Sequence, residues 1–263
     1  RNIQLRFMDN IEVEIRKNLY EFYDCVAQIC GIYSEKQDHW SVIKNIPKVW
    51  PRIIYRINTE IIEQKSSIIF AEKVKSGSYP ELLITGDESI QQIDPFLRTL
   101  GFYPFSAWKG MALTNRFDIV SPQLPQAVQI VRCKSSDDIE QWIQIVTSEL
   151  IPPVQFNKVL LESLIDQSGV EVYMLKYNGK GVSTMLAFNS ATSTGLYFIA
   201  TQKTAQRQGF AKLLVQQILS QNPQKSKLPV ILHATKNGEA LYSKLGFLPF
   251  NQFFLYRYLN ANL

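Results

Sequence analysis

Histidine and cysteine are scarce in this chain, with two and three respectively among 263 residues. His39 and His233 cannot assemble a three-histidine zinc site. Cys25-x4-Cys30 with no second pair is a poor metal half-site, so no metal is expected. Three scattered thiols exclude a disulfide framework and make the cytoplasm the expected compartment. No apolar run approaches the ~18–20 residues of a membrane span, and no membrane partner is expected. The start at Arg1 lacks the basic patch and apolar core of a secretory signal. Also missing are a G-x-S-x-G elbow, a G-x-x-x-x-G-K-[ST] phosphate loop and an H-E-x-x-H pair. Triad hydrolases, P-loop enzymes and common zinc enzymes are thereby disfavoured.

The composition, 46% hydrophobic and 19% charged, is that of a globular protein, and the length favours two domains. Net charge is +5 and unevenly placed. Residues 1–122 carry 15 charges of each sign, so the whole excess follows them. From Val172 to Gly238 there is no Asp or Glu, but there are Lys176, Lys180, Lys203, Arg207, Lys212, Lys225, Lys227 and Lys236. So long a field of one sign is either a solvated basic face or the seat of an anionic ligand. Lys/Arg clusters interleaved with aromatics are absent, so a compact polyphosphate fits better than nucleic acid.

Ser121-Pro122-Gln123-Leu124-Pro125 reads as a link between residues 1–121 and 126–263. Beyond it a regular order is expected. A strand over Ala127–Arg132 precedes a helix capped by Ser135 and running through Leu150. After Pro152-Pro153 a second helix runs near Phe156–Ile165. Strands Val170–Tyr177 and Val182–Asn189 flank the hairpin signal Asn178-Gly179. A strand over Leu196–Ala200, a helix from Gln206 to Gln221 and a strand over Leu228–His233 follow. A short helix over Gly238–Leu245 and an aromatic strand over Phe250–Leu259 complete a mixed α/β order. Trp40, Trp50 and Trp108 are expected in packing, and Cys25 and Cys30 as buried thiols in a helix.

The most informative segment is Ile199-Ala200-Thr201-Gln202-Lys203-Thr204-Ala205-Gln206-Arg207-Gln208-Gly209-Phe210-Ala211. A strand ends, the chain turns, and a helix opens whose first amides have no partner within the helix and can cradle an anion. Small residues at 209 and 211 admit a bulky phosphate, and Arg207 and Lys212 add charge. Here the chain resembles the GNAT family of N-acetyltransferases, whose signature Q/R-x-x-G-x-G/A is met by Gln206, Gly209 and Ala211. A second match is centred on Tyr242, 31 residues past Ala211. Ala240-Leu241-Tyr242-Ser243-Lys244-Leu245-Gly246-Phe247 is similar to the family's late A-L-Y-x-x-x-G-F helix.

The resemblance covers roughly Ala127–Leu259. It implies transfer of an acetyl group from acetyl-CoA to a primary amine by direct attack. Pantetheine would pair with the backbone of Ile199, Ala200 and Thr201. The pyrophosphate would rest on the amides of Arg207, Gln208, Gly209, Phe210 and Ala211, with Lys212 beside them. Tyr242 would be the general acid that protonates the departing thiolate. The carboxylate base that many relatives place on the strand at 196–200 is missing. Deprotonation would pass through water or His233, and Asn237 is not carried over as a pantetheine ligand. The alternative is a non-catalytic acyl-CoA sensor or scaffold, and a longer acyl donor is also compatible.

The first half echoes the second. Leu100-Gly101-Phe102-Tyr103-Pro104-Phe105 matches Leu245–Phe250 at five of six positions. Residues 79–83 mirror 228–232, preceded by a strand over Pro51–Ile57 with a helix over Glu60–Lys75 intervening. Leu97 stands at the place of Tyr242, and Glu60 and Glu63 oppose a phosphate. The expected fold is therefore a mixed, mostly antiparallel sheet flanked by helices, GNAT-like and duplicated. Residues 1–121 would be a degenerate copy, and residues 126–263 the acetyl-CoA-binding unit.

Overall fold

A computed structural model describes residues 2–115, 119–221 and 228–259. Lys225 and Lys227 of the basic stretch, and Phe117 and Asp118 ahead of the expected link, lie outside the described residues. The chain opens with α1 (Asn2–Cys30), whose Ile11, Ile15, Leu19, Phe22, Tyr23 and Val26 form one buried helical stripe. Then come β1 (Ser34–Lys36), β2 (Ser41–Lys44), β3 (Val49–Trp50), β4 (Arg52–Tyr55), α2 (Gln64–Lys75), β5 (Leu82–Gly86), α3 (Ile90–Thr99) and the long β6 (Phe102–Leu113). The second half runs β7 (Val128–Arg132), α4 (Ser136–Glu149), β8 (Gln155–Phe156), α5 (Lys158–Ile165), β9 (Val170–Tyr177), β10 (Lys180–Asn189) and β11 (Thr194–Thr201). It closes with α6 (Phe210–Ser220), β12 (Val230–Ala234), α7 (Glu239–Ser243) and β13 (Leu248–Tyr258).

Local chemistry accounts for most boundaries. Ser135 Oγ accepts the Asp138 amide at 3.2 Å and starts α4, and Asn157 Oδ1 accepts the Leu160 amide at 3.2 Å and starts α5. Asn178 and Gly179 both take positive φ, 50° and 77°, as the tight turn between β9 and β10 requires. Two expected helices are shorter than read. Residues 60–75 split into a single 3-10 turn (Thr59–Ile62) capped by Asn58, followed by α2. The helix expected from Gln206 begins at Phe210, because Gly209 adopts φ 82° and 203–205 form a separate 3-10 turn. Cys25 and Cys30 lie in α1 but are only half-buried.

Eleven strands form one sheet, ordered β1-β2-β4-β5-β13-β6-β12-β11-β10-β9-β7. The expected link at 121–125 falls between β6 and β7, and the halves exchange their last strands across it. β13 pairs with β5 of the first half, and β6 pairs with β12 of the second. At the centre β6 and β13 pair antiparallel, with a register that the duplication reproduces. Moving each residue to its counterpart 145 positions away turns Leu248↔Ala112 into Arg257↔Tyr103, and Pro249↔Met111 into Tyr256↔Pro104. Trp108 pairs with Phe253, its own counterpart. Both bulges, between Pro249 and Asn251 and between Leu255 and Tyr256, transform into each other. A pseudo-twofold axis therefore passes through the Trp108–Phe253 pair.

Strand alternation divides the core between the two faces. Ile43, Ile84, Ala112, Phe253, Ile231 and Leu186 point to the face covered by α1, α4 and α5. Val42, Leu83 and Phe102 meet α2 and α3 on the other face of the first half. Met111, Leu232 and Met185 meet α6 and α7 on that same face of the second. α1 thus spans both halves on one side of the sheet, and each half has its own helix pair on the other.

Candidate active site

The site begins where two parallel strands part. β11 pairs with β12 only over Thr194–Leu196 and Val230–Leu232, so the backbone of β11 from Tyr197 onward is left unpaired on that side. A bulge widens the gap, because Met185 opposes both Phe198 and Ile199. Phe198 takes φ 51°, a conformation that costs an L-residue roughly 1–2 kcal/mol. Its ring is held by Trp50, Phe156 and Trp142 at 5.0, 5.3 and 5.5 Å between centroids. The first half repeats the device. Arg56 after Tyr55 has φ 56°, and Tyr55-Arg56-Ile57 corresponds to Tyr197-Phe198-Ile199. Both tyrosines donate to α1, Tyr55 to Asp24 at 2.9 Å and Tyr197 to Asn18 at 2.8 Å.

Through the gap runs a cleft of about 1150 Å³ that reaches both faces of the sheet. It collects Ile199, Ala200, Thr201, Gln206, Arg207, Gly209, Phe210, Ala211, Lys212 and Tyr242, the expected site residues other than Gln208. Gln208 stays outside, its side-chain amide donating to the Thr204 carbonyl at 3.4 Å. Gln206 ties the loop to the strand end by donating to the Thr201 carbonyl at 3.0 Å. The first hydrogen bond of α6 runs from the Leu213 amide to the Gly209 carbonyl at 2.9 Å, leaving the amides ahead of it without an intrahelical partner. Arg207 at φ 63° and Gly209 at φ 82° curl these amides into a concave turn of the kind that binds anions. A Cβ on Gly209 would meet no protein atom within 4 Å. The protein's own packing does not exclude a side chain there, so the space is open to a ligand. Phe210 points away into the core, 5.2 Å from Tyr177, whereas Arg207, Lys212 and Lys244 are exposed at this mouth.

Tyr242 stands on α7 against Phe247, with Gly238 close beneath its ring. Burial pushes its phenol well above the ordinary tyrosine range, so it holds its proton at neutral pH. Its counterpart Leu97 is buried apolar packing.

On the α1 face the cleft is walled by residues that the motifs did not reveal. Leu19, Phe22 and Tyr23 come from α1, Trp50 from β3, Leu150 and Ile151 from the end of α4, and Trp108 from β6. Trp40 is core, as expected, but Trp50 and Trp108 are half-buried wall residues. Because β6 sits beside β12, the first half supplies Trp108 to the second half's cleft. His233 lies at this end too, 4.7 Å from Phe253, 6.1 Å from Tyr197 and 6.4 Å from Trp108. Neither ring nitrogen has a hydrogen-bond partner, and burial alone pushes its pKa down to about 3. Because burial disfavours its protonated form, this imidazole stays neutral at pH 7 and is a weak proton acceptor. The one carboxylate among the described lining residues is Glu149, whose Oε1 accepts the Lys203 amide at 3.1 Å.

A sequence model of the acetyltransferase (GNAT) domain matches residues 142–255. Residues 142–255 form a GNAT acetyltransferase domain. Most of the chain shares its fold with several solved GNAT structures. One is a GCN5-related N-acetyltransferase from Kribbella flavida (TM-score 0.63, 13% identity, 92% of this chain and 96% of that one). A second, from Sphaerobacter thermophilus, has TM-score 0.60 at 14% identity over 78% and 71% of the two chains. A third is a tandem GNAT protein from the clavulanic acid biosynthesis pathway (TM-score 0.60, 7% identity, 90% and 89% covered). No curated protein matches the chain. The matched segment of the GNAT domain holds the bulged strand, the amide-lined turn and Tyr242, while Trp108 and α1 lie outside it. Among the described residues no group of three potential metal ligands occurs, and no helix is long and apolar enough to cross a membrane.

Proposed function

We propose that this protein transfers an acetyl group from acetyl-CoA to a primary amine, using the cleft of its second half. The splay of β11 and β12 is the observation that carries the reading. It offers an unpaired strand edge, from Tyr197 to Thr201, that ends at a turn of free amides beside three exposed cations. Pantetheine has amides at the spacing to extend such an edge. A pyrophosphate matches the turn at Arg207–Lys212 in charge and size. The thioester then lies at the bulge, reached by the amine from the α1 face. Attack by the amine lone pair forms the C–N bond, and the C–S bond breaks as Tyr242 gives its proton to the sulfur. The nitrogen releases one proton to water, from which Tyr242 is reprotonated. Holding thioester and amine together supplies much of the rate.

The first half, residues 1–121 by the sequence division, acts in this reading as a copy without its own acyl-CoA site. Glu63, at the cap of α2, occupies the place of Gly209 and puts a carboxylate where the phosphate would rest. The test is calorimetric titration with acetyl-CoA. One site per chain is the expected stoichiometry, followed by CoA release in the presence of an amine acceptor. Binding without turnover on any amine would favour an acyl-CoA sensor, and absence of binding would refute the reading.

A further inference from the structure

Helix α4 and strand β11 run side by side, and their contacts locate a charge within the cleft. Trp142 meets the ring of Phe198 at 5.5 Å between centroids, and two helical turns further on Glu149 accepts the Lys203 amide at 3.1 Å. The two side chains therefore lie on one face of α4, about 10 Å apart along its axis. Phe198 marks the bulge, where the thioester lies in the acyl-transfer reading. The Glu149 carboxylate thus stands on the order of 10 Å from the reacting carbon. A group that takes a proton from the attacking nitrogen must come within about 3 Å of it, so Glu149 is set too far back for that role.

The carboxylate is nevertheless open to a ligand. It lines the cleft beside Leu150 and Ile151 and is half-buried. Its hydrogen bonds, from the Lys203 amide at 3.1 Å and the Ser148 hydroxyl at 3.5 Å, both fall on Oε1, and neither cancels its charge. Among the described residues no Lys or Arg side chain forms an ion pair with it. The lining cations Arg207, Lys212 and Lys244 stand at the other mouth. Around Glu149 the α1 end presents Phe22, Tyr23, Trp50, Trp108 and Phe198, a surface that packs an aliphatic chain and accepts a cation over its ring faces. One unpaired anion in an aromatic wall, set back from the reacting centre, is a receptor for an organic cation that is not itself the nucleophile.

We propose that the acceptor is an aliphatic diamine, one nitrogen of which is acetylated at the bulge while the other, still protonated, is held by Glu149 about 10 Å away. The inference rests on the acyl-transfer reading above and names its substrate class. The chain between the two nitrogens lies against the aromatic wall. The reacting nitrogen, as the free base, forms the C–N bond and releases one proton to water, and the sulfur leaves with the proton of Tyr242. The second ammonium is unchanged, so the product is a monoacetylated diamine that keeps one positive charge.

The experiment measures acetyl-CoA binding by calorimetry, then initial rates of CoA release with diaminooctane, octylamine and aminooctanoate. These share one chain and differ in the charge at its far end. Expected is a kcat/KM for diaminooctane at least about tenfold above octylamine, with aminooctanoate the poorest. Glu149→Gln keeps an oxygen for the Lys203 amide and removes the charge. It should abolish the preference by raising KM for diaminooctane about tenfold, with no change in its kcat. Acetyl-CoA titration of the variant reports that it is folded. Glu149→Lys should reverse the order and favour aminooctanoate over diaminooctane. Equal kcat/KM for diaminooctane and octylamine in the wild type overturns the proposal. So does a fall in kcat shared by diaminooctane and octylamine in Glu149→Gln, which would assign the carboxylate to the reacting nitrogen. Acetyl-CoA binding without turnover of diaminooctane overturns it as well. Absence of acetyl-CoA binding removes the acyl-transfer reading itself, so the two failures are distinguishable.

Discussion

Replacing His233 with leucine gives a stability effect whose size follows from the structure. His233 is enclosed by Tyr197, Trp108 and Phe253, no charged group contributes to its shift, and burial holds its pKa at about 3 against an ordinary 6.5. A folded-state value below the unfolded one means that the unfolded chain takes up the proton first as pH falls. The associated stability is present above about pH 6.5 and is lost progressively toward pH 3. Between pH 7 and pH 5 the loss is about 2 kcal/mol. That figure depends on the unfolded pKa alone so long as the folded value lies well below 5. Carboxylates elsewhere add their own pH dependence, but they are common to wild type and His233→Leu and cancel in the comparison. Urea denaturation of both proteins at the two pH values is the assay. Wild type should lose about 2 kcal/mol more than the variant. Equal losses would show that the imidazole titrates normally, and therefore that water reaches it. His233 would then regain the standing of a general base that its burial removes.

Gly209→Glu introduces a side chain at φ 82° and an anion where the amides converge, without a clash inside the protein. Acetyl-CoA affinity should fall by at least about tenfold, equivalent to ~1.4 kcal/mol, with the fold intact by circular dichroism. Undiminished binding would move the phosphate site elsewhere. Tyr242→Phe should lower kcat by about 10²–10⁴-fold while leaving the acetyl-CoA dissociation constant unchanged, and an unaltered kcat would end its role as acid. Expression of residues 123–263 alone removes β6, the neighbour of β12, and both partners of β13. This fragment should be unfolded or associated by gel filtration and circular dichroism, and a well-folded monomer would contradict the exchange of strands.

Local signals in the sequence carried far. Asn178-Gly179 and Ser135 each dictate a backbone geometry through their own φ preferences or side-chain oxygen, and the structure follows them. The residues at the charged mouth of the cleft are legible for the same reason, since Gln206, Gly209 and Ala211 lie within one turn of chain. Even there the helix starts four residues later than the sequence pattern predicts. A left-handed glycine ends the approach to α6, and the residues before it are an extended turn rather than a first helical turn.

The opposite mouth was not legible, because its residues come from parts of the chain that only tertiary structure brings together. Trp108 reads as an ordinary aromatic of an alternating strand. Nothing in its neighbourhood tells that β6 will leave its own half and lie against β12. A signal for the wall did exist in the duplication. The repeated Leu-Gly-Phe-x-Pro-Phe marks two equivalent strands, and equivalent long strands that both follow a helix are free to pair about a twofold axis. The repeated Tyr-x-Ile at 55–57 and 197–199 marks two equivalent positive-φ positions, Arg56 and Phe198. Together these place the first half's strand within reach of the second half's bulge. In the first half Glu63 caps α2 where Gly209 caps α6, while the rest of the copy is kept. Its last strand completes the sheet beside β12 and presents Trp108 to the cleft, so removing the first half would dismantle a wall of the cleft.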